Sequence, residues 1–230
     1  MSRGFQQNQF TVEPFTESSR LIWERRQHVV LGVSPGNSYF RVSQITILLD
    51  WLCKEFNQVD VIIPDSTLVH TYLALGYDPQ RALKKARSEI NVLSNRVARA
   101  WKSSGGPRPV DSLHRMSDLE TGTVYQQKLA ESEQALKEDA ILLQTCVEMS
   151  RDVLASRGHQ GPLTADQIKQ SMRYLIAELP FFLASSDIFG VQSSLNFYHR
   201  ELPLAELIFA GKSRLRVSSG QGYALIRPAQ

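Results

Sequence analysis

Ser34 stands in the run Gly32-Val33-Ser34-Pro35-Gly36-Asn37-Ser38, a corner rich in glycine and proline that follows an apolar stretch and can present a nucleophile. Letter by letter, Gly32-x-Ser34-x-Gly36 meets the G-x-S-x-G pattern of serine hydrolases, whose serine is exposed at the top of a sheet. Only 33 residues precede Ser34, and they hold no HGGG-like run to supply the oxyanion-hole loop of such an enzyme. The plainest reading makes Ser34 an ordinary turn residue on the approach to a helix. Tyr174 and Glu178 form a second chemical pair, four residues apart and therefore on one helix face. Tyr198 and His199 form a third, at the end of a short run that reads as a strand.

The elements around these residues follow from periodicity. His28 to Val33 is short, β-branched and apolar on successive positions, as in a parallel strand buried on both faces. Ile45, Leu48, Leu49, Leu52 and Phe56 have helical spacing within residues 43–56, and Val59 to Asp65 reads as a second buried strand, which gives a βαβ unit. Ser34 then lies beyond the carboxyl end of a strand, where open α/β sheets place their ligands. Further helices are expected over residues 67–75 and from Asp78-Pro79 to Ser103, where Ser104-Gly105-Gly106-Pro107 stops the second. Residues 107–116 read as an irregular connection. Ser117-x-x-Glu120 has capping-box spacing ahead of a long helical stretch to about Ser156, and Arg157 to Pro162 breaks the chain. Thr164-x-x-Gln167 opens a helix to about Leu179, where Pro180 ends or kinks it. Residues 194–199 read as a strand, 203–211 as a short helix and 222–227 as a final strand.

Composition narrows the classes. The 230 residues are 42% hydrophobic and 21% charged, ordinary for a globular protein, and one domain over 1–230 is expected, with residues 1–20 a flexible N-terminal segment. No stretch approaches the roughly 18 apolar residues of a membrane span, and the first residues lack the apolar core of a signal peptide, so a cytoplasmic protein is expected. Cys53 and Cys146 fall in amphipathic segments and read as buried thiols; no Cys or His cluster has metal spacing, so no metal is expected. No G-x-G-x-x-G or Walker loop is present, so neither a dinucleotide nor ATP is expected.

Net charge is only +3, but its distribution is informative. At about 100° per residue, Arg81, Lys84, Lys85, Arg96, Arg99 and Lys102 fall within an arc of about 120°. Leu83, Ala86, Ile90, Leu93, Val97, Ala100 and Trp101 gather on the opposite side. Solvated helix faces usually mix signs, whereas Glu89 is the only acid between Arg81 and Lys102. A single-sign stripe roughly 30 Å long suits the phosphates of a nucleic acid.

Taken together, these pieces resemble a bacterial cyclodipeptide synthase over nearly the whole chain. The resemblance rests on Gly32 to Phe40, on Tyr174-Leu175-Ile176-Ala177-Glu178-Leu179-Pro180 and on Tyr198-His199, in the family's order and approximate spacing, with the basic helix where the family keeps its tRNA-binding patch. It implies a Rossmann-like parallel sheet flanked by helices, similar to the catalytic domain of class I tyrosyl- and tryptophanyl-tRNA synthetases without their ATP signatures. It implies a ping-pong reaction of two aminoacyl-tRNAs through an ester on Ser34, with Asn37, Tyr174, Glu178 and Tyr198 in catalytic roles. By the same resemblance Val30, Gly32, Met149 and Phe181 line the first aminoacyl pocket, Asn196 stands near the second, and Asn37 and His199 mark one branch of the family. A monomer is expected. A serine hydrolase using His70, His114, His159 or His199, and a catalytically dead tRNA-binding module, are the alternatives.

Overall fold

The computed structural model describes residues 9–104 and 112–229. Strand β1 (Phe10–Pro14) and helix α1 (Glu17–Arg25) come first, the helix capped by the Thr16 hydroxyl, which accepts from the Ser19 amide. The β-branched run forms β2 (His28–Gly32), followed by α2 (Val42–Glu55) and β3 (Gln58–Ile63). Next come α3 (Leu68–Ala74), α4 (Pro79–Ser103), β4 (Leu113–Arg115), α5 (Met116–Leu119), α6 (Thr123–Glu138) and α7 (Ala140–Ser156). The chain closes with α8 (Ala165–Ile188), β5 (Ser194–Tyr198), α9 (Pro203–Phe209) and β6 (Gln221–Pro228).

The six strands form one sheet in the order β1-β6-β5-β2-β3-β4. All neighbours are parallel except β1, which lies antiparallel along β6 at the edge. Each face carries alternate residues. Val29, Leu31, Val61, Ile63, Leu195 and Phe197 pack beneath α2 and α4, while Val30 and Ile62 face Met116, Tyr125 and Phe181 from the helices on the other side. A second apolar core joins α6, α7, α8 and α9 through Leu136, Leu142, Cys146, Met172, Leu179 and Leu207. Cys146 is buried and Cys53 half-buried, both as free thiols.

The Asp78-Pro79 start of α4 is as the sequence implies: the Asp78 carboxylate accepts from the Arg81 amide at 3.0 Å and proline takes the first turn. Four expectations change. Of residues 1–20, those from Phe10 on are ordered, because Phe10 is buried against Trp51 (ring centroids 5.2 Å) and β1 pairs with β6; residues 1–8 lie outside the described residues, as do Gly105, Gly106 and Pro107. The connection before residue 116 includes β4, paired with β3. The long helix over 117–156 is three helices, because the Ser117 amide and hydroxyl bond Asp65 (3.0 and 2.8 Å) instead of capping, and Asp139 turns its carboxylate onto the Ile141 and Leu142 amides to start α7 anew. Pro180 does not end α8, which runs on to Ile188 and leaves helical geometry only at Ala184 (φ −153°, ψ 35°). Burial of Leu179, Pro180, Phe181 and Leu183 outweighs the roughly 3 kcal/mol that an internal proline costs.

Candidate active site

Ser34 follows the last residues of β2 on a tight turn. The Asn37 amide donates to the Ser34 carbonyl at 3.4 Å, with Pro35 and Gly36 between them. Gly36 takes φ +72°, the left-handed conformation that such a turn needs at its third position and that glycine adopts without strain. The Asn37 Oδ1 atom accepts from the Tyr39 amide at 3.0 Å. That bond sets the orientation of the carboxamide and leaves Nδ2 as its hydrogen-bond donor.

Strand order then brings the distant residues in. Because β5 lies beside β2, Tyr198 at the carboxyl end of β5 reaches Ser34, and the two hydroxyls are 3.3 Å apart. Tyr174 and Glu178 enter from α8, half-buried one turn apart. Burial pushes the Glu178 carboxyl up to about 7, against the opposing hydrogen bond of the Tyr174 hydroxyl. Burial likewise raises Tyr174 well above the ordinary phenol range, reinforced by the charges of Glu178 and Tyr198 and opposed by Arg157. Ser34, Tyr198, Tyr174 and Glu178 therefore converge on one place at the carboxyl ends of the central strands.

Two residues lie beside this set: Tyr125, whose place carried no sequence signal, and His199, already paired with Tyr198 in the sequence. Tyr125, on amphipathic α6, donates its hydroxyl to the Ala177 carbonyl at 3.0 Å, and burial together with Glu120 and Glu178 holds its proton tightly. His199 stacks on Tyr39 with centroids 3.9 Å apart and planes 7° apart, edge-on to Phe40. Burial and the charge of Arg200 push it down to about 4, so it is neutral near pH 7. None of the four histidines proposed for a hydrolase triad bonds Ser34, whose hydroxyl partner is Tyr198: His114 bonds Asp60 and His70 faces Gln170.

The pocket residues divide differently from the resemblance. Val30 and Phe181 share an apolar cluster with Ile62, Met116 and Tyr125, beneath the position of Gly32. Met149 is not part of it. On α7 it packs into the separate core of α6, α8 and α9, because α8 stands between α7 and the sheet. Asn196 belongs with Val30, its register partner on β5, and donates Nδ2 to the Phe181 carbonyl at 2.7 Å while Oδ1 has no protein partner. Asn196 therefore lies with Val30 and Phe181.

On α4, Arg81, Lys84, Lys85, Arg99 and Lys102 are exposed and Arg96 is half-buried. Arg87 is exposed too and extends the basic surface. Leu83, expected to pack, is 41% exposed. It shares its azimuth with Trp101, which is buried at the other end of the helix, whereas at the Leu83 end burial is confined to Ala82 and Ala86.

The fold and these converging groups define a Rossmann-like α/β enzyme with its polar site at the carboxyl end of a parallel sheet. The sequence model of the cyclodipeptide synthases matches residues 10–228, and the chain belongs to that family. It is similar to cyclo(L-tyrosyl-L-tyrosyl) synthase of Mycobacterium tuberculosis, 34% identical over 96% of this chain and 77% of the relative, and to cyclo(L-leucyl-L-phenylalanyl) synthase of Streptomyces noursei, 29% identical over 93% and 90%. Among solved structures it superposes on a cyclodipeptide synthase of Bacillus thermoamylovorans with a TM-score of 0.89 at 29% identity, covering 96% of this chain and 97% of that one. It also superposes on a Mycobacterium tuberculosis protein described as relating cyclodipeptide synthetases to type I tRNA synthetases, with a TM-score of 0.83 at 33% identity over 100% and 99% of the two chains.

Proposed function

We propose that this synthase joins the aminoacyl groups of two aminoacyl-tRNAs through an ester on Ser34. The observation that carries the reading is the 3.3 Å approach of the Ser34 and Tyr198 hydroxyls, with Tyr198 near enough to raise the pKa of Tyr174, the residue that hydrogen-bonds Glu178. Ser34 Oγ attacks the ester carbonyl of the first aminoacyl-tRNA, its proton passes toward the departing ribose hydroxyl through Tyr198, and the first tRNA leaves. The amine of the aminoacyl-enzyme then attacks the second aminoacyl ester, releasing the second tRNA and leaving a dipeptidyl ester on Ser34. Attack of its free amine on that ester closes the diketopiperazine and regenerates the Ser34 hydroxyl.

Each amine must lose a proton before it attacks. A carboxyl held near 7 is well matched to that transfer and, when ionised, orients the α-ammonium by a charge-assisted hydrogen bond. Asn37 Nδ2 meets the oxyanion, a contact worth about 3 kcal/mol in comparable sites. The aminoacyl ester is already activated, so the scheme needs no ATP and calls on no metal. Val30, Gly32, Ile62, Met116 and Phe181 favour an apolar first side chain, with Asn196 beside it. The stripe of Arg81, Lys84, Lys85, Arg96, Arg99 and Lys102 holds tRNA phosphates without reading bases. We assign the chain to the branch marked by Asn37 and His199, acting as a monomer in the cytoplasm, where charged tRNAs are found.

Mass spectrometry of culture medium after expression in a bacterium tests the reading. Wild type is expected to release a diketopiperazine and Ser34→Ala none; a simple ester hydrolysed without tRNA at a rate that depends on Ser34 would favour a hydrolase instead.

A further inference from the structure

Arg157, the residue that follows α7, is tied to three other parts of the chain. Its Nη2 donates to the Pro35 carbonyl at 3.0 Å, inside the turn that carries Ser34. Its Nη1 donates to Glu89 Oε2 at 3.0 Å and lies 3.3 Å from Oε1. The Tyr72 hydroxyl donates to the same Oε2 at 2.6 Å and stands 3.5 Å from Nη1. Both charged side chains are largely buried, 19% and 21% exposed. Gly36 rests directly on the pair: a Cβ there would come within 2.5 Å of Glu89 Oε1 and 3.0 Å of Arg157 Nη2.

Glu89 is the sole acid of α4, and this arrangement explains why it interrupts a basic helix. Its carboxylate is turned inward, away from the cationic stripe, to hold Arg157. The turn itself is closed by one long backbone hydrogen bond, 3.4 Å from the Asn37 amide to the Ser34 carbonyl. A second constraint is therefore needed to set Ser34 Oγ to the tolerance that acyl transfer demands, where an error of about 1 Å costs about a hundredfold in rate. The planar fork of arginine supplies it, with one nitrogen for the turn and one for the helix; a lysine cannot reach both in fixed geometry.

We propose that Arg157 is a positioning residue for acyl transfer, locking the Ser34 turn onto the inner side of α4 through Glu89 and Tyr72. The proposal rests on Ser34 being the acyl acceptor. The test is single-turnover acylation by one saturating aminoacyl-tRNA, with tRNA affinity measured in parallel. In Arg157→Lys the acylation rate is expected to fall by about ten- to a hundredfold while tRNA affinity is unchanged. Arg157→Ala is expected to be slower still and to regain rate on addition of methylguanidinium, a recovery that a purely structural defect would not show. Arg157→Lys combined with Glu89→Gln should be little worse than Arg157→Lys alone, since both break one linkage.

Acylation of Arg157→Lys at the wild-type rate overturns the proposal. So does a loss confined to tRNA affinity, which would put Arg157 among the tRNA contacts, or a loss that follows the unfolded fraction without guanidinium rescue. Wild-type enzyme that forms no ester on Ser34 is a separate failure, that of the reaction scheme beneath.

Discussion

The two ends of the central strands carry similar side chains to opposite effect. At the amino end, Ser194 Oγ lies 2.8 Å from His28 Nδ1, and His28 Nε2 lies 2.8 Å from Asp60 Oδ2. His114 and Gln58 complete the set on the same carboxylate, at 2.8 and 2.7 Å. By residue type and spacing this is a serine, histidine and aspartate relay, yet Ser194, His28 and Asp60 are 0, 1 and 2% exposed. Nothing can reach its serine. At the carboxyl end Ser34 has only a tyrosine beside it, 3.3 Å away, but the site is partly open. Chemistry is thus marked by access and by polar groups with bonding capacity to spare, whereas a sealed and satisfied network holds strands together.

The two carboxylates make the same contrast. Burial tends to raise Asp60, but hydrogen bonds from His114, His28 and Gln58 outweigh it and hold the carboxyl well below its ordinary range. Burial dominates at Glu178, where a single tyrosine opposes it and the carboxyl reaches about 7. Two carboxylates shifted in opposite directions in this way separate a structural role from an acid–base one.

The largest expected effects break the serine comparison. Ser34→Ala should lower product formation by more than about 10⁴-fold, as for nucleophile removal elsewhere. Ser194→Ala should leave turnover of the folded enzyme intact and cost about 1–3 kcal/mol in a denaturant titration, because His28 loses a buried partner. The carboxylate comparison comes next. Glu178→Gln should lower kcat by about 10² to 10⁴-fold with little change in Tm, and Asp60→Ala should cost about 3–5 kcal/mol of stability while sparing the activity of the folded fraction.

The pH dependences of the two carboxylates run in opposite directions. Glu178 has a raised pKa when folded, so between about pH 4.5 and 7 the folded state keeps a proton that the unfolded chain has lost, and its contribution to stability falls as pH rises through that window. Activity should climb around pH 7, where the carboxylate forms in the folded enzyme, and the step should vanish in Glu178→Gln. Asp60 has a depressed pKa, so its contribution is full above about pH 4 and is lost as pH falls below it. Denaturant titrations across pH in the wild type and in each variant separate the two. The smallest effect is expected on α4, where Arg99→Ala should weaken tRNA binding modestly and reduce the slope of log affinity against log salt by about one.

Local elements were legible because their signals are local. The Ser34 turn, the strands on either side of α2, the Asp78-Pro79 cap and the shared face of Tyr174 and Glu178 all follow from neighbours a few residues apart. The approach of Tyr198 to Ser34 depends on β5 inserting beside β2 across 164 residues, which only the resemblance implied. Arg157 read as a helix stop, since its partners at Pro35 and Glu89 come from other elements. Met149, set in the first pocket by the resemblance alone, packs with the core of α6, α8 and α9, a neighbourhood that no local spacing encodes. Pro180 does not end α8, where burial of its neighbours overrides the local breaking signal, and the departure from helical geometry comes one turn later at Ala184.

The central claim is that Ser34, the accessible serine, carries the first aminoacyl group. Intact-protein mass spectrometry after incubation with a single aminoacyl-tRNA tests it most directly. Wild type should gain the mass of one aminoacyl residue, removable by mild base and mapped to the peptide containing Ser34, and Ser34→Ala should gain nothing. The same added mass persisting in Ser34→Ala would contradict the account.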